Sequence, residues 1–291
     1  MPRGRPDRAS SSSAAPWNHS SPTGGVRRAP RQRWTDASVP ISVDLSARRV
    51  LVTGASSGIG EVTCRALIRC GASVAMLARR DDRLAALTAE LGERAIGIAC
   101  DVTDLDVLTA SIARAVDALG GLDTIITAAG RGMVGTLATG EPAMWRELLD
   151  LNLIGPLATV RYGVRHFASQ GRRDVVLIGS TGAITPAACV GMYAASKRGL
   201  RAAFDSLRLE LAPEGVNVSL VMPGIFDTEG LVAATAINGE VNEGAMPSFA
   251  AGVTTPPKPD AVADTIAFML GLPDDVCVNE LVLRPTAQLR P

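Results

Sequence analysis

The chain has 291 residues, 47% of them apolar and 3% aromatic, with a formal net charge of +0 at neutral pH. That length and apolar content suffice for a large core in one or two domains, and the balanced charge offers no electrostatic handle for nucleic acid or an anionic membrane. No uninterrupted apolar stretch is long enough to span a bilayer, so no membrane partner is expected. The five cysteines (Cys64, Cys70, Cys100, Cys189 and Cys277) are scattered and form no C-x-x-C pair. They predict a reduced, cytoplasmic protein whose thiols pack as small hydrophobes. Only His19 and His166 are histidines, which leaves no basis for a histidine triad or a zinc site, and no metal is expected.

Residues 1–39 differ in composition from everything after them. Arg3, Arg5, Arg8, Arg27, Arg28, Arg31 and Arg33, the serines 10–13 and several prolines give no apolar period, so this stretch is expected to be a disordered tail. Its Arg- and Ser-rich composition resembles a transit peptide, but the prolines interrupt any amphipathic helix and no apolar signal core follows. A non-functional extension is expected, with a targeting or anionic-partner role as the alternative. Residues 40–291 read as one catalytic domain.

That domain begins at Arg49–Gly60, RVLVTGASSGIG. An apolar run, a glycine turn and a helix N-terminus, in that order, form an anion site, because unpaired amides and the helix dipole both face the turn. Gly54 allows the tight turn, Gly58 lets the backbone approach a pyrophosphate, and Gly60 permits close helix–strand packing. Further strands are predicted at 73–77, 95–99, 124–127, 174–178, 217–221 and 280–283. Helices are predicted at 61–70, 82–91, 105–119, 142–169, 192–211 and 259–270. Strands that are apolar throughout and alternate with helices predict an α/β fold, a doubly wound parallel sheet of Rossmann type with its ligand at the strands' C-terminal edge.

Arg79-Arg80 follow the second strand, where such folds meet the adenosine ribose. Two guanidinium groups there offer fork-shaped donors to a 2′-phosphate, which predicts NADP(H) over NAD(H). Asp81 and Asp82 fit the first turn of the next helix instead. On the helix 192–211, Tyr193 and Lys197 are i and i+4 and share a face, and Ser180 ends the strand before it. A free phenol ionises near pH 10, so a base near pH 7 needs roughly 4 kcal/mol of differential stabilisation. An ammonium about 4 Å away supplies a contribution of that order at an effective dielectric near 20. The set is suited to moving a proton on or off a carbinol oxygen while a nicotinamide exchanges hydride.

These residues resemble the short-chain dehydrogenase/reductase family over about residues 44–288. The cofactor turn T-G-x-x-x-G-x-G corresponds to Thr53–Gly60, with Gly54, Ser56, Ser57, Gly58, Ile59 and Gly60 around the pyrophosphate. Asp101-Val102 would flank adenine, and Pro223-Gly224-Ile225-Phe226-Asp227-Thr228 is the Pro-Gly turn, with Ile225 and Thr228 at the carboxamide. The resemblance implies Tyr193 as acid/base and Ser180 as the holder of the carbonyl oxygen. Lys197 would bond the nicotinamide ribose and lower the Tyr193 pKa, and Asn152 would position a relay water. The family's Asn-Asn-Ala-Gly reads Thr127-Ala128-Ala129-Gly130 here, so backbone from Ala128 to Gly130 is left to hold the cofactor. The C-terminal Val278–Gln288 resembles an NADP-dependent subgroup acting on small 3-hydroxy acids such as serine.

Between the Pro-Gly turn and the last helix, residues 229–257 carry Leu231, Val232, Ile237, Val241, Met246 and Phe249 among glycines and read as an apolar substrate lid. Lys258 and Arg131 are the candidates for an anionic substrate. A hydrophobic ketone or aldehyde thus competes with a hydroxy acid. An NADP(H)-dependent oxidoreductase is the leading reading, and a non-catalytic NADP-binding regulatory or scaffold protein is the alternative. By the family resemblance, apolar faces on 155–169 and 192–211 pair across subunits, which implies a homodimer or homotetramer.

Overall fold

Each apolar run anticipated from the sequence forms a strand of one parallel sheet in the computed structural model, which describes residues 43–169, 171–185, 188–234, 236–237, 240–241 and 253–288. All of them fall in the unit Ser38–Pro291. The expected tail with its boundary near residue 39, and residues 235, 238–239 and 242–252 of the expected lid, lie outside the described residues.

In chain order the elements are β1 (Arg49–Thr53), α1 (Gly58–Arg69), β2 (Ser73–Ala78), α2 (Asp81–Leu91), β3 (Ala95–Ala99), α3 (Leu105–Leu119) and β4 (Thr124–Thr127). Then come α4 (Pro142–Leu149), α5 (Gly155–Gly163), β5 (Arg173–Ile178), α6 (Gly191–Leu211) and β6 (Val216–Pro223). The last are α7 (Glu229–Ala234), β7 (Ala236–Ile237), β8 (Glu240–Val241), α8 (Asp260–Leu270) and β9 (Glu280–Leu283). The sheet order is β3-β2-β1-β4-β5-β6-β9, and β7–β8 is a separate two-stranded ladder.

Strand periodicity explains why both faces need helices. In β1, Val50 and Val52 point into the core under α1 and α8, while Leu51 points into the opposite core under α3, α5 and α6. Val176 and Ile178 of β5 share the first core, and Val175 and Leu177 the second. A strand buried on both sides has no polar face to alternate, hence the continuous apolar runs. The crossovers from β1 lead toward β2 and β3, and those from β4 toward β5 and β6. Their loops therefore part above Thr53 and Thr127, which are paired neighbours in the sheet. A crevice at the C-terminal edge follows from that reversal.

One predicted element is divided. The helix expected over 142–169 becomes α4, a π-helical turn at Asp150–Ile154, α5 and a 3-10 turn at Val164–His166. Pro156 explains the break: it has no N–H to donate to the carbonyl of Asn152, so the α-helical ladder cannot close there. The apolar spacing runs through this region unbroken and conceals it.

The opposite end of the sheet is tied by buried charge. Asp174 at the start of β5 accepts from Arg172 Nε at 2.9 Å and pairs with Arg48, whose Nε lies 3.0 Å from Asp123 Oδ1. Arg172 also donates to Leu272 O at 2.7 Å and Met269 O at 3.2 Å, fastening the end of α8. An Asp174→Ala change removes the carboxylate that two buried guanidinium groups share and should cost about 3–5 kcal/mol of unfolding free energy in urea titration. Dinucleotide affinity should persist, because the cleft lies at the other end of the strands.

Candidate active site

The crevice above β1 and β4 is a cleft of about 550 Å³. All the site residues expected from the sequence line it except Gly60 and Asn152. Gly60 sits directly beneath the turn: a Cβ there would come 2.2 Å from Gly54 O, so helix and turn pack without room for a side chain. Gly54 has φ +71°, and its Cβ would lie 2.6 Å from Ala129 N. A side chain at either position would collide with neighbouring backbone.

Ser57 is the N-cap of α1, yet its side chain makes no cap bond. Instead its hydroxyl accepts from Arg80 Nη2 at 2.6 Å, and Ser56 Oγ accepts from Arg80 Nε at 3.2 Å. No side-chain cap from Ser57 thus covers the amides of the first helical turn, where an anion is favoured by both the N–H groups and the dipole. Arg80 Nη1 donates to Glu229 Oε2 at 2.7 Å, and Arg83 bonds the other oxygen of the same carboxylate. Arg79 is exposed, with Asp101 opposite it at 3.9 Å. The two arginines expected as a pair are therefore unequal.

Beneath Gly130 lies Asn152, fully buried and placed by the π-turn. Its Oδ1 accepts from Arg131 N and its Nδ2 donates to Arg131 O, both at 2.9 Å, in the manner of a strand partner. Nδ2 also reaches Ser196 Oγ at 3.2 Å, and Ser196 Oγ donates to Tyr193 O at 2.7 Å. One amide side chain thus joins the segment after β4 to the helix that carries Tyr193 and Lys197. The Ala128 substitution is accommodated by Thr53: its carbonyl accepts from Ala128 N at 3.2 Å and its hydroxyl from Ala129 N at 3.4 Å.

Lys197 is buried on α6, and its Nζ donates to Ile178 O at 2.9 Å. Burial lowers its pKa to about 8. Tyr193 is held above the ordinary tyrosine value by burial, with the hydrogen bond to Ser180 pulling the other way. Ser180 Oγ accepts from Gly182 N at 3.0 Å, which leaves its proton free to donate. The pull expected from the Lys197 ammonium is not among the influences on Tyr193. Proximity along a helix does not reveal that the ammonium would itself be desolvated.

Across the cleft, Met133, Val134, Thr185 and Val190 supply further wall, and Leu231 packs with Ile225 and Val253. A model of the short chain dehydrogenases matches residues 48–237. Serine 3-dehydrogenase of Agrobacterium fabrum is 32% identical over 241 residues, which are 82% of this chain and 94% of that protein. The chain belongs to the short-chain dehydrogenase family.

Glycine betaine reductase ATRR of Emericella nidulans is 33% identical over 244 residues, 83% of this chain, and the match spans only 19% of that longer protein. A closed form of serine dehydrogenase complexed with NADP+ superposes with a TM-score of 0.75 at 26% identity, over 82% of this chain and 95% of that one. As a short-chain dehydrogenase, the protein is an oxidoreductase. Among the described residues no helix is long and apolar enough to cross a membrane. The residues missed from sequence are Glu229 and Arg83, the Met133–Val134 wall, and Ser196. Pro156 was a local signal for the π-turn, and the apolar pair after β4 marked the wall. Nothing local linked Glu229 to Arg80.

Proposed function

We propose that the protein is an NADP(H)-dependent short-chain dehydrogenase that interconverts a small ketone or aldehyde, or a 3-hydroxy acid, with its redox partner. The observation that carries this is convergence: Ser180, Tyr193 and Lys197 line the same cleft as the glycine turn of α1 and Arg80. The fit to a dinucleotide rests on that turn, whose Ser57 leaves the helix amides without a side-chain cap, and on the left-handed Gly58 (φ +56°) beside it. Gly54, Ser56, Ser57, Gly58, Ile59 and Gly60 would hold the pyrophosphate, and Asp101 and Val102 the adenine. Ala128, Gly130, Lys197, Pro223, Gly224, Ile225 and Thr228 would hold the nicotinamide half. Free cysteines and the family resemblance support a cytoplasmic homodimer or homotetramer.

When bound, the nicotinamide supplies or accepts the hydride. Tyr193 gives its phenolic proton to the nascent alkoxide in reduction and takes it back in oxidation. Its raised pKa keeps it a proton donor at neutral pH. Ser180 donates to the same carbonyl oxygen. Lys197 would bond the nicotinamide ribose, and Asn152 keeps α6 in register with the floor of the cleft.

A decrease of NADPH fluorescence on adding ketones and aldehydes, or its increase from NADP+ with 3-hydroxy acids, tests this reading. No turnover across both panels would sink it. The apolar wall of Met133, Val134 and Leu231 supports neutral substrates. Arg131, which contacts Glu147 at 3.2 Å, supports an acid. Loss of one charge-assisted bond at Arg80 should raise the Michaelis constant for NADPH about 10- to 100-fold in Arg80→Ala. The constant for NADH should change little. The exposed Arg79 should matter less, and equal effects on both cofactors would count against the phosphate assignment.

A further inference from the structure

Glu229 stands at the start of α7, on the substrate side, yet its carboxylate is engaged at the ribose end of the cleft. Arg80 Nη1 holds one oxygen at 2.7 Å and Arg83 holds the other. Arg80 simultaneously donates to the hydroxyls of Ser56 and Ser57 on the glycine turn. An anion gripped by two guanidinium forks beside two hydroxyls occupies a set of donors suited to a phosphate monoester. A phosphate brings a third oxygen and nearly twice the charge, so it outbids a single carboxylate for those donors. All three partners are about half exposed (Arg80 39%, Arg83 44% and Glu229 52%), so the carboxylate is held by solvent-screened contacts that can be exchanged.

We infer that Glu229 occupies the subsite of the cofactor's 2′-phosphate, so that a 2′-phosphorylated adenosine displaces it and frees α7 from Arg80 and Arg83. This rests on the NADP(H) reading above. The consequence reaches the substrate side, because Leu231, two residues along α7, packs on Ile225 of the cleft wall and on Val253. The same two arginines thus read the cofactor and restrain the helix that carries Leu231 in the cleft wall. A nucleotide lacking the 2′-phosphate would leave the restraint in place.

The test uses 2′,5′-ADP and 5′-AMP as probes on the full chain and on Glu229→Gln, with calorimetric affinity and amide hydrogen exchange of residues 229–234 as readouts. Glu229→Gln should bind 2′,5′-ADP about three- to fivefold tighter than the parent, the scale of two exposed ion pairs, and 5′-AMP equally well. In the parent, 2′,5′-ADP should accelerate exchange in 229–234 and 5′-AMP should not. In Glu229→Gln exchange should be fast from the outset and respond to neither. Unaltered affinity of the variant for 2′,5′-ADP, or the same exchange response to both nucleotides, overturns the displacement. If neither protein prefers 2′,5′-ADP to 5′-AMP, the NADP(H) reading itself fails and takes this inference with it.

Discussion

Replacing Tyr193 by Phe is expected to lower turnover about 10²- to 10⁴-fold, the usual worth of a positioned proton donor, with dinucleotide affinity nearly unchanged. The phenol ring packs against Gly182, where a Cβ would lie 3.2 Å from Tyr193 Cε1, so phenylalanine keeps the fit and loses only the proton. The pH dependence separates this role from a structural one. Burial raises the Tyr193 pKa above the ordinary tyrosine value, and the Ser180 hydrogen bond opposes it. Carbonyl reduction needs the protonated phenol, so its rate should fall where the phenol ionises, above the ordinary tyrosine range and beyond any change that follows Lys197 near pH 8. Alcohol oxidation needs the phenolate and should climb with pH over the same interval. In Tyr193→Phe the residual rate should lose that limb in both directions. A variant that kept full turnover, or that kept the alkaline limb, would remove Tyr193 from the chemistry.

The strands were legible almost residue for residue, and β3, β4 and β9 were bounded as they occur. Burial on both faces makes such strands apolar throughout, and the turns between them are marked by glycine and by helix-capping acids such as Asp104, which accepts from Asp106 N and Val107 N. The glycine turn was legible for a related reason. Gly54 and Gly60 answer steric demands of neighbours only a few residues away or in the adjacent strand, and such demands leave a fixed spacing. What the sequence concealed depends on distant partners. Glu229 meets Arg80 at a sequence separation of 149, and either residue alone reads as a solvated surface charge. Asn152 was found by its place in the family pattern, but its pairing with the Arg131 backbone needed the π-turn. The environment of Tyr193 was misjudged because i and i+4 spacing gives direction on a helix and says nothing of burial.

Burial gives Lys197 its own expected result. An amine with an ordinary value of 10.5 is lowered to about 8 by burial, with Ile178 O as its acceptor. In the unfolded chain it stays protonated up to about pH 10.4, so between about 8 and 10.5 the unfolded state binds more protons than the folded one. Stability therefore rises with pH across that window, and below it the fold carries the full cost of a charged, desolvated amine. At 1.36 kcal/mol per unit, that cost is about 3 kcal/mol at pH 7. Lys197→Met removes the titrating group together with one hydrogen bond. The lost bond subtracts a similar amount at every pH, whereas the relief of burial depends on pH. The stability of Lys197→Met relative to the parent should accordingly decline by about 3 kcal/mol from pH 7 to pH 10.5 in urea titrations. Turnover should fall roughly 10- to 100-fold or more at neutral pH, since a charge-assisted bond to the cofactor ribose is gone. A relative stability that stays flat with pH would mean that Lys197 is not desolvated as its burial implies. Unimpaired turnover would mean that its charge is kept for no catalytic purpose. The two measurements together ask whether a buried cation that weakens the fold is retained because the reaction uses it.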